Sequence, residues 1–281
     1  MKQPLGMLIL AAFTSAAYGA IDADVAGHGT PWPGIHRDPP VQLGYFPLPD
    51  PYSVGLGWDG NYIWIAAGDQ AGPPCKFYLF DEYGNQIDVG AQGGGATGWG
   101  HRDLTCRDHM MFGSFSNVVG AHSYAGSGIF DYEGYFIGAP INPNRAMARD
   151  GQYFYTGGFG TNLYRMQWNG IWGASAVVTD LGGPYSGLFG LAYGNSAGLW
   201  GTTAAYTGEL YEFTTSGILL NVYVDPAHPT FGGCEFAWTT QYGGVLAALV
   251  QENPDGVAFY YVGWFGSPIE SMSWGQIKAL F

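Results

Sequence analysis

The chain has 281 residues, with 22 acidic against 9 basic side chains and a formal net charge of −13, yet only 11% of its residues are charged. A surface of this sign repels phosphate backbones, which argues against nucleic acid as a partner. Glycine, at 47 residues, and aromatic side chains, at 17%, stand far above ordinary usage. That mixture suits many short strands joined by tight turns rather than helices.

The chain opens with MKQPLGMLILAAFTSAAYG, a lysine, a short apolar core from Leu5 to Phe13, and small residues at Ala17 and Gly19. This is the pattern of a secretory signal peptide covering residues 1–19, cleaved after Gly19. A membrane-spanning helix needs about 20 apolar residues, more than this core supplies. The mature chain is therefore expected to be exported (extracellular, at the cell surface or periplasmic) and not inserted in a membrane. Residues 20–40 form a Pro/Gly-rich arm, read either as a strap or as a mobile extension. The next stretch, VQLGYFPL at Val41–Leu48, is apolar and lies ahead of the repeats described below. It is predicted to pair with the last repeat and so remove an exposed sheet edge.

From about Tyr52 onward one frame recurs: a small or polar residue, an apolar residue two before an anchor, a turn, and a second apolar strand. The anchors are Trp58, Cys106, Arg149, Tyr193 and Trp238, and the apolar column reads Leu56, Leu104, Met147, Leu191, Phe236. Each unit has a second half in which an aromatic strand leads to a glycine turn, as in KFYLFDEYGNQIDVG and SGIFDYEGYFIG. A repeat of roughly 45 residues that supplies four strands is a β-propeller blade. The predicted fold is all-β, a β-propeller over residues 41–281 with five four-stranded blades at about 52–98, 99–143, 144–186, 187–231 and 232–281; six blades, one degenerate, is the alternative. Asp59-Gly60 and Asp150-Gly151 are read as hairpin turns, because Gly tolerates positive φ there.

The frame at Gly55–Ile65, GLGWDGNYIWI, resembles secreted bacterial β-propeller repeat proteins that carry G-x-x-W-D-G-x-x-L-W-V once per blade. The second unit departs most, with Cys106 at the tryptophan place and no Asp-Gly. The resemblance implies a fold and no chemistry, since propellers host many unrelated functions.

In such a ring the first strand of each blade lines the axis, and ligands bind where those strands begin, beside the loops between second and third strands. The predicted loops on that face are 68–74, 114–126, 157–162, 202–208 and 251–256. Three residues before the anchors stand Gly55, Asp103, Ala146, Gly190 and Glu235, so two carboxylates interrupt a column of small residues. As catalytic candidates, Asp103 and Glu235 would make an acid/base pair of the kind used in glycoside cleavage. The other reading gives Asp103, Arg102 and Arg145 an ion-pair network between blades and has Glu235 accept from inner-strand amides. Candidate ligand-binding residues are His101, Arg102, Arg145, His122, Tyr124, Phe159 and Tyr206. Neither the six histidines nor Cys75, Cys106 and Cys234 show metal-ligand spacing. No metal and no cofactor is expected, and the cysteines are read as buried thiols or as one disulfide with one left over.

Three functional readings follow. The first is a non-enzymatic binding or scaffold module that recognises carbohydrate or protein. The second is a structural subunit that self-assembles through the N-terminal arm. The third is a glycoside hydrolase or lyase.

Overall fold

The computed structural model describes residues 39–70, 72–194 and 198–262. The signal peptide predicted at 1–19 and residues 20–38 of the predicted arm lie outside these residues. Twenty strands form five four-stranded antiparallel sheets arranged in a ring, a five-bladed β-propeller. Blade 1 holds β2 (Ser53–Trp58), β3 (Ile63–Ala67), β4 (Lys76–Phe80) and β5 (Gln86–Ala91). Blade 2 holds β6 (Leu104–Arg107), β7 (Met110–Phe115), β8 (Val118–Gly126) and β9 (Ile129–Ile137). In blade 3 the strands are β10 (Ala146–Arg149), β11 (Phe154–Gly157), β12 (Thr161–Gln167) and β13 (Val177–Tyr185). In blade 4 they are β14 (Leu188–Gly194), β15 (Gly198–Thr203), β16 (Glu209–Phe213) and β17 (Leu219–Val224).

Blade 5 is made from both ends of the repeat region. Its inner three strands are β18 (Phe231–Thr239), β19 (Gly243–Val250) and β20 (Gly256–Tyr261), and β1 (Val41–Pro47) is the fourth, antiparallel to β20. The pairing runs from Val41 opposite Tyr261 to Pro47 opposite Gly256, so the chain that precedes blade 1 closes the ring on blade 5. Without β1, the outer edge of β20 would present unpaired amides and carbonyls.

The near-continuous apolar strands are explained by burial on both faces. In β3, Ile63, Ile65 and Ala67 pack toward blade 5 with Leu249, Val257 and Phe259, while Trp64 and Ala66 pack toward blade 2 with Leu104, Met111 and Phe130. Comparable clusters fill the other three interfaces. Each blade thus shelters its neighbours' apolar faces, and no single blade could bury both of its own.

The turns at the ends of the inner hairpins share one device. Asp59 Oδ1 accepts from the amides of Asn61 and Tyr62, and Oδ2 accepts from the Trp64 indole at 2.7 Å. Asp150 repeats this with Gln152, Tyr153 and the Tyr155 hydroxyl at 2.6 Å. Gly60 and Gly151 follow at φ 100° and 93°, the left-handed region that glycine enters without strain.

Candidate functional site

The inner strands β2, β6, β10, β14 and β18 each lie beside two others and close around the axis. With five blades the ring is narrow enough for one side chain to reach across it. Asp103, just before β6, does so: Oδ2 accepts from the amides of Met147 and Leu191, each at 2.8 Å, and Oδ1 from that of Cys234 at 3.2 Å. The remaining inner strand also meets it, since a Cβ at Gly55 would lie 3.2 Å from the Asp103 backbone. A Cβ at Gly233 would collide with Asp103 Oδ1. Small residues fill the rest of this column because neighbouring strands crowd it: a Cβ at Gly190 would lie 2.7 Å from the Cys234 amide nitrogen and 2.8 Å from the Gly232 carbonyl.

Glu235 performs the matching task within blade 5, its Oε1 accepting from the Phe236 amide at 2.9 Å. Met147, Leu191 and Phe236 hold the same place in the repeat frame, so two carboxyls serve one column of axial amides. Burial pushes Asp103 well above the usual carboxylate range, opposed by hydrogen bonds from Leu191, Met147 and Leu104. Burial likewise pushes Glu235 up to about 8, opposed by Thr105 and the Phe236 amide. Both are buried, Asp103 completely. A general acid has to reach a substrate atom, and Asp103, sealed among main-chain donors, does not. The ion-pair network of Asp103 with Arg102 and Arg145 is not formed either; main-chain amides take the place of the arginines.

The two arginines instead face the end of the ring where the inner strands begin. Arg102 Cζ lies 5.8 Å from the centroid of Trp99, and Arg145 Cζ lies 3.9 Å from that of Phe159 and 5.8 Å from that of Phe189. Both guanidiniums are half-buried, and neither has a carboxylate within 4.0 Å among the described residues. Burial and then the charge of Arg145 lower Arg102 to about 10, and burial lowers Arg145. Both stay cationic at neutral pH. Around them Trp99 is 39% and Phe159 45% exposed, and Tyr206, in the loop at 204–208, is 82% exposed. Of the predicted ligand residues, Arg102, Arg145 and Phe159 come together here, and Tyr206 lies on a loop of the same face.

His122 and Tyr124 do not. The stretch read as a loop at 114–126 is instead the β7–β8 hairpin, with only Ser116 and Asn117 between the strands. Its glycines mislead because they serve packing: Gly113 and Gly120 pair across the strands, and the His101 ring lies over both, 2.6 Å and 3.0 Å from where their Cβ atoms would be. His101 and His122 are fully buried between blades 1 and 2. Their Nε2 atoms lie 2.9 Å apart, with Phe77 stacked on His101 at an interplanar angle of 10°. Burial lowers His101 to about 4, and burial with its neighbour's charge lowers His122 to about 2, so both are neutral in the fold. Tyr124, near the far end of β8, donates to Asp88 Oδ2 at 2.6 Å and packs beside Tyr62 at the Asp59-Gly60 end. Trp99, which its place in the sequence three residues before Arg102 puts at or near the ligand face, does lie beside that arginine.

Cys75, Cys106 and Cys234 are free thiols, two of them buried. Among the described residues no group of three His, Cys, Asp or Glu is placed to hold a metal ion, and no helix is long and apolar enough to cross a membrane. No protein-family model matches this chain, and no curated protein matches its sequence.

Proposed function

We propose that this chain is an exported, non-enzymatic propeller of the type found on bacterial surfaces or in the extracellular matrix, acting as a binding or scaffold module for carbohydrate or protein. The observation that carries this reading is the contrast between the two parts of the ring. The axial carboxyls are committed to main-chain amides, whereas the face at the strand entrances holds exposed aromatic rings beside two cations that have no carboxylate partner among the described residues. A face that presents a few polar groups and flat rings from loops on a rigid scaffold is suited to recognition. Screening the purified chain on a glycan array, and against envelope extract of the source organism in a pull-down, tests it. Captured ligand should be lost in Trp99→Ala and Tyr206→Ala variants; silence in both assays overturns the proposal.

A second reading, self-assembly through the arm, is favoured by one feature. The arm at 20–40 runs directly into β1, which joins blade 5 by strand addition, so donation of β1 to a neighbouring ring would use pairing already present. Light scattering on the full chain and on a chain lacking residues 20–38 tests it, and equal monomeric mass for both excludes it.

A further inference from the structure

The least economical feature of the entrance face is the pair of guanidiniums. Arg102 and Arg145 each stand four residues before their frame anchors, Cys106 and Arg149, just ahead of the adjacent inner strands β6 and β10. Ser114 joins them, its carbonyl accepting from the Arg102 amide and its hydroxyl donating to the Arg145 carbonyl at 3.0 Å; the charge of Arg145 reaches Arg102, both are half-buried, and neither has a carboxylate partner among the described residues. Two like charges held together and partly out of water oppose folding, in a chain whose 22 acidic residues could have supplied a counter-ion. Arg145 is also held in place: its Cζ lies 3.9 Å from the Phe159 centroid and 5.8 Å from that of Phe189. Trp99 keeps 39% of its surface open beside Arg102.

We propose that Arg102 and Arg145 form a clamp for a carboxylate carried on a sugar ring, so that the ligand is an acidic oligosaccharide of the uronic acid class. This rests on the reading of the entrance face as a recognition surface. Two planar forks match the two oxygens of a carboxylate, and a ligand carboxylate neutralises the repulsion that the free protein carries. The exposed Trp99 ring offers its electron-rich face to the C–H face of the same sugar. The net charge of −13 selects against long polyanions, which feel the whole surface, more than against a short acidic oligosaccharide with one carboxylate in the local positive site.

Titration calorimetry on the full chain with a short oligogalacturonate, its methyl ester, and oligoglutamate tests the proposal. The acid sugar should bind at least tenfold more tightly than its ester, and more weakly as salt is raised. Arg145→Met should erase that preference and Arg145→Lys should retain part of it. Neither Arg102→Met nor Arg145→Met should lower the melting temperature, because each removes a repulsion. Equal affinity for acid and ester overturns the clamp while leaving a sugar-binding face intact. Binding of oligoglutamate alone, with the same arginine dependence, overturns the sugar class and keeps the recognition surface. Binding of none of the three overturns the clamp, and only if the glycan array and pull-down are also silent does the recognition surface fall with it. Loss of stability in the methionine variants with binding unchanged assigns the arginines to the fold.

Discussion

Replacing Asp103 is the most demanding perturbation of this fold. Asp103→Ala leaves the amides of Met147, Leu191 and Cys234 facing a closed axis without an acceptor. Each buried, unsatisfied amide costs about 1–3 kcal/mol, so the expected loss is roughly 3–9 kcal/mol, toward the lower end where water enters the vacated space. Total stability of a folded domain is about 5–15 kcal/mol, which places this variant near the edge of unfolding. Asp103→Asn keeps the shape. Its carbonyl oxygen can accept from Met147 and Leu191, while its NH2 group faces the Cys234 amide, donor against donor; the expected loss is about 2–4 kcal/mol. Urea unfolding followed by tryptophan fluorescence reads both variants, with the m-value reporting whether the native state stays compact. Asp103→Ala within about 1 kcal/mol of wild type would refute the axial role. So would unchanged stability with ligand binding abolished, which would return Asp103 to the functional site.

The same axis carries a pH signature. Glu235, raised by burial to about 8 from 4.5, favours the fold most below pH 4.5 and loses that contribution as pH rises to about 8. Glu235→Gln should therefore gain on wild type by about 1.4 kcal/mol per pH unit across that window; a pH-independent difference refutes it. The histidine pair acts with opposite sign. Lowered from 6.5 to about 4 and about 2, His101 and His122 contribute stability above pH 6.5 that is lost as pH falls through those values. His122→Phe should thus fare progressively better than wild type in acid, measured as melting temperature between pH 7 and 4. Asp59→Ala and Asp150→Ala each remove three hydrogen bonds at one turn and should cost about 1–3 kcal/mol in the same urea assay, by similar amounts. Burial raises the Cys75 thiol to about 11 and Cys106 to about 12, and pushes Cys234 well above its usual range. All three should resist a disulfide reagent at pH 8 until the chain is unfolded.

The fold was legible because its signal is periodic and two-faced. An apolar column such as Leu56, Leu104, Met147, Leu191 recurs only if equivalent strands meet equivalent neighbours, and all four side chains are fully buried. The ring-closing role of Val41–Pro47 was legible for a related reason, an apolar run outside the period with one free edge to cover. The axial column was visible, but its meaning was not: two acids among small residues suit a catalytic pair as well as an amide acceptor. What separates the two is the radius of the ring, which no residue encodes by itself. The Ser114–Gly126 stretch failed for a local reason. Gly113 and Gly120 make room for a ring that arrives from His101, outside the stretch, so a packing requirement looked like loop composition.

Ring size also decides where recognition can occur. A wide axis leaves inner-strand amides in reach of water or ligand, and carboxyls lining it remain free for chemistry. Here the inner strands approach so closely that their amides must find an acceptor inside the protein, and Asp103 supplies it across the ring. Once the axial carboxyls are consumed in this way, the groups left with unspent hydrogen-bonding capacity are those on the rim. Asp103, the acid beside Arg102 in the chain, turns inward to the amides, while Arg102 and Arg145 lie beside Trp99 and Phe159. Closure of the axis and the uncompensated charge at its entrance are therefore one event: the carboxylate that would have neutralised the arginines is the one that holds the blades together.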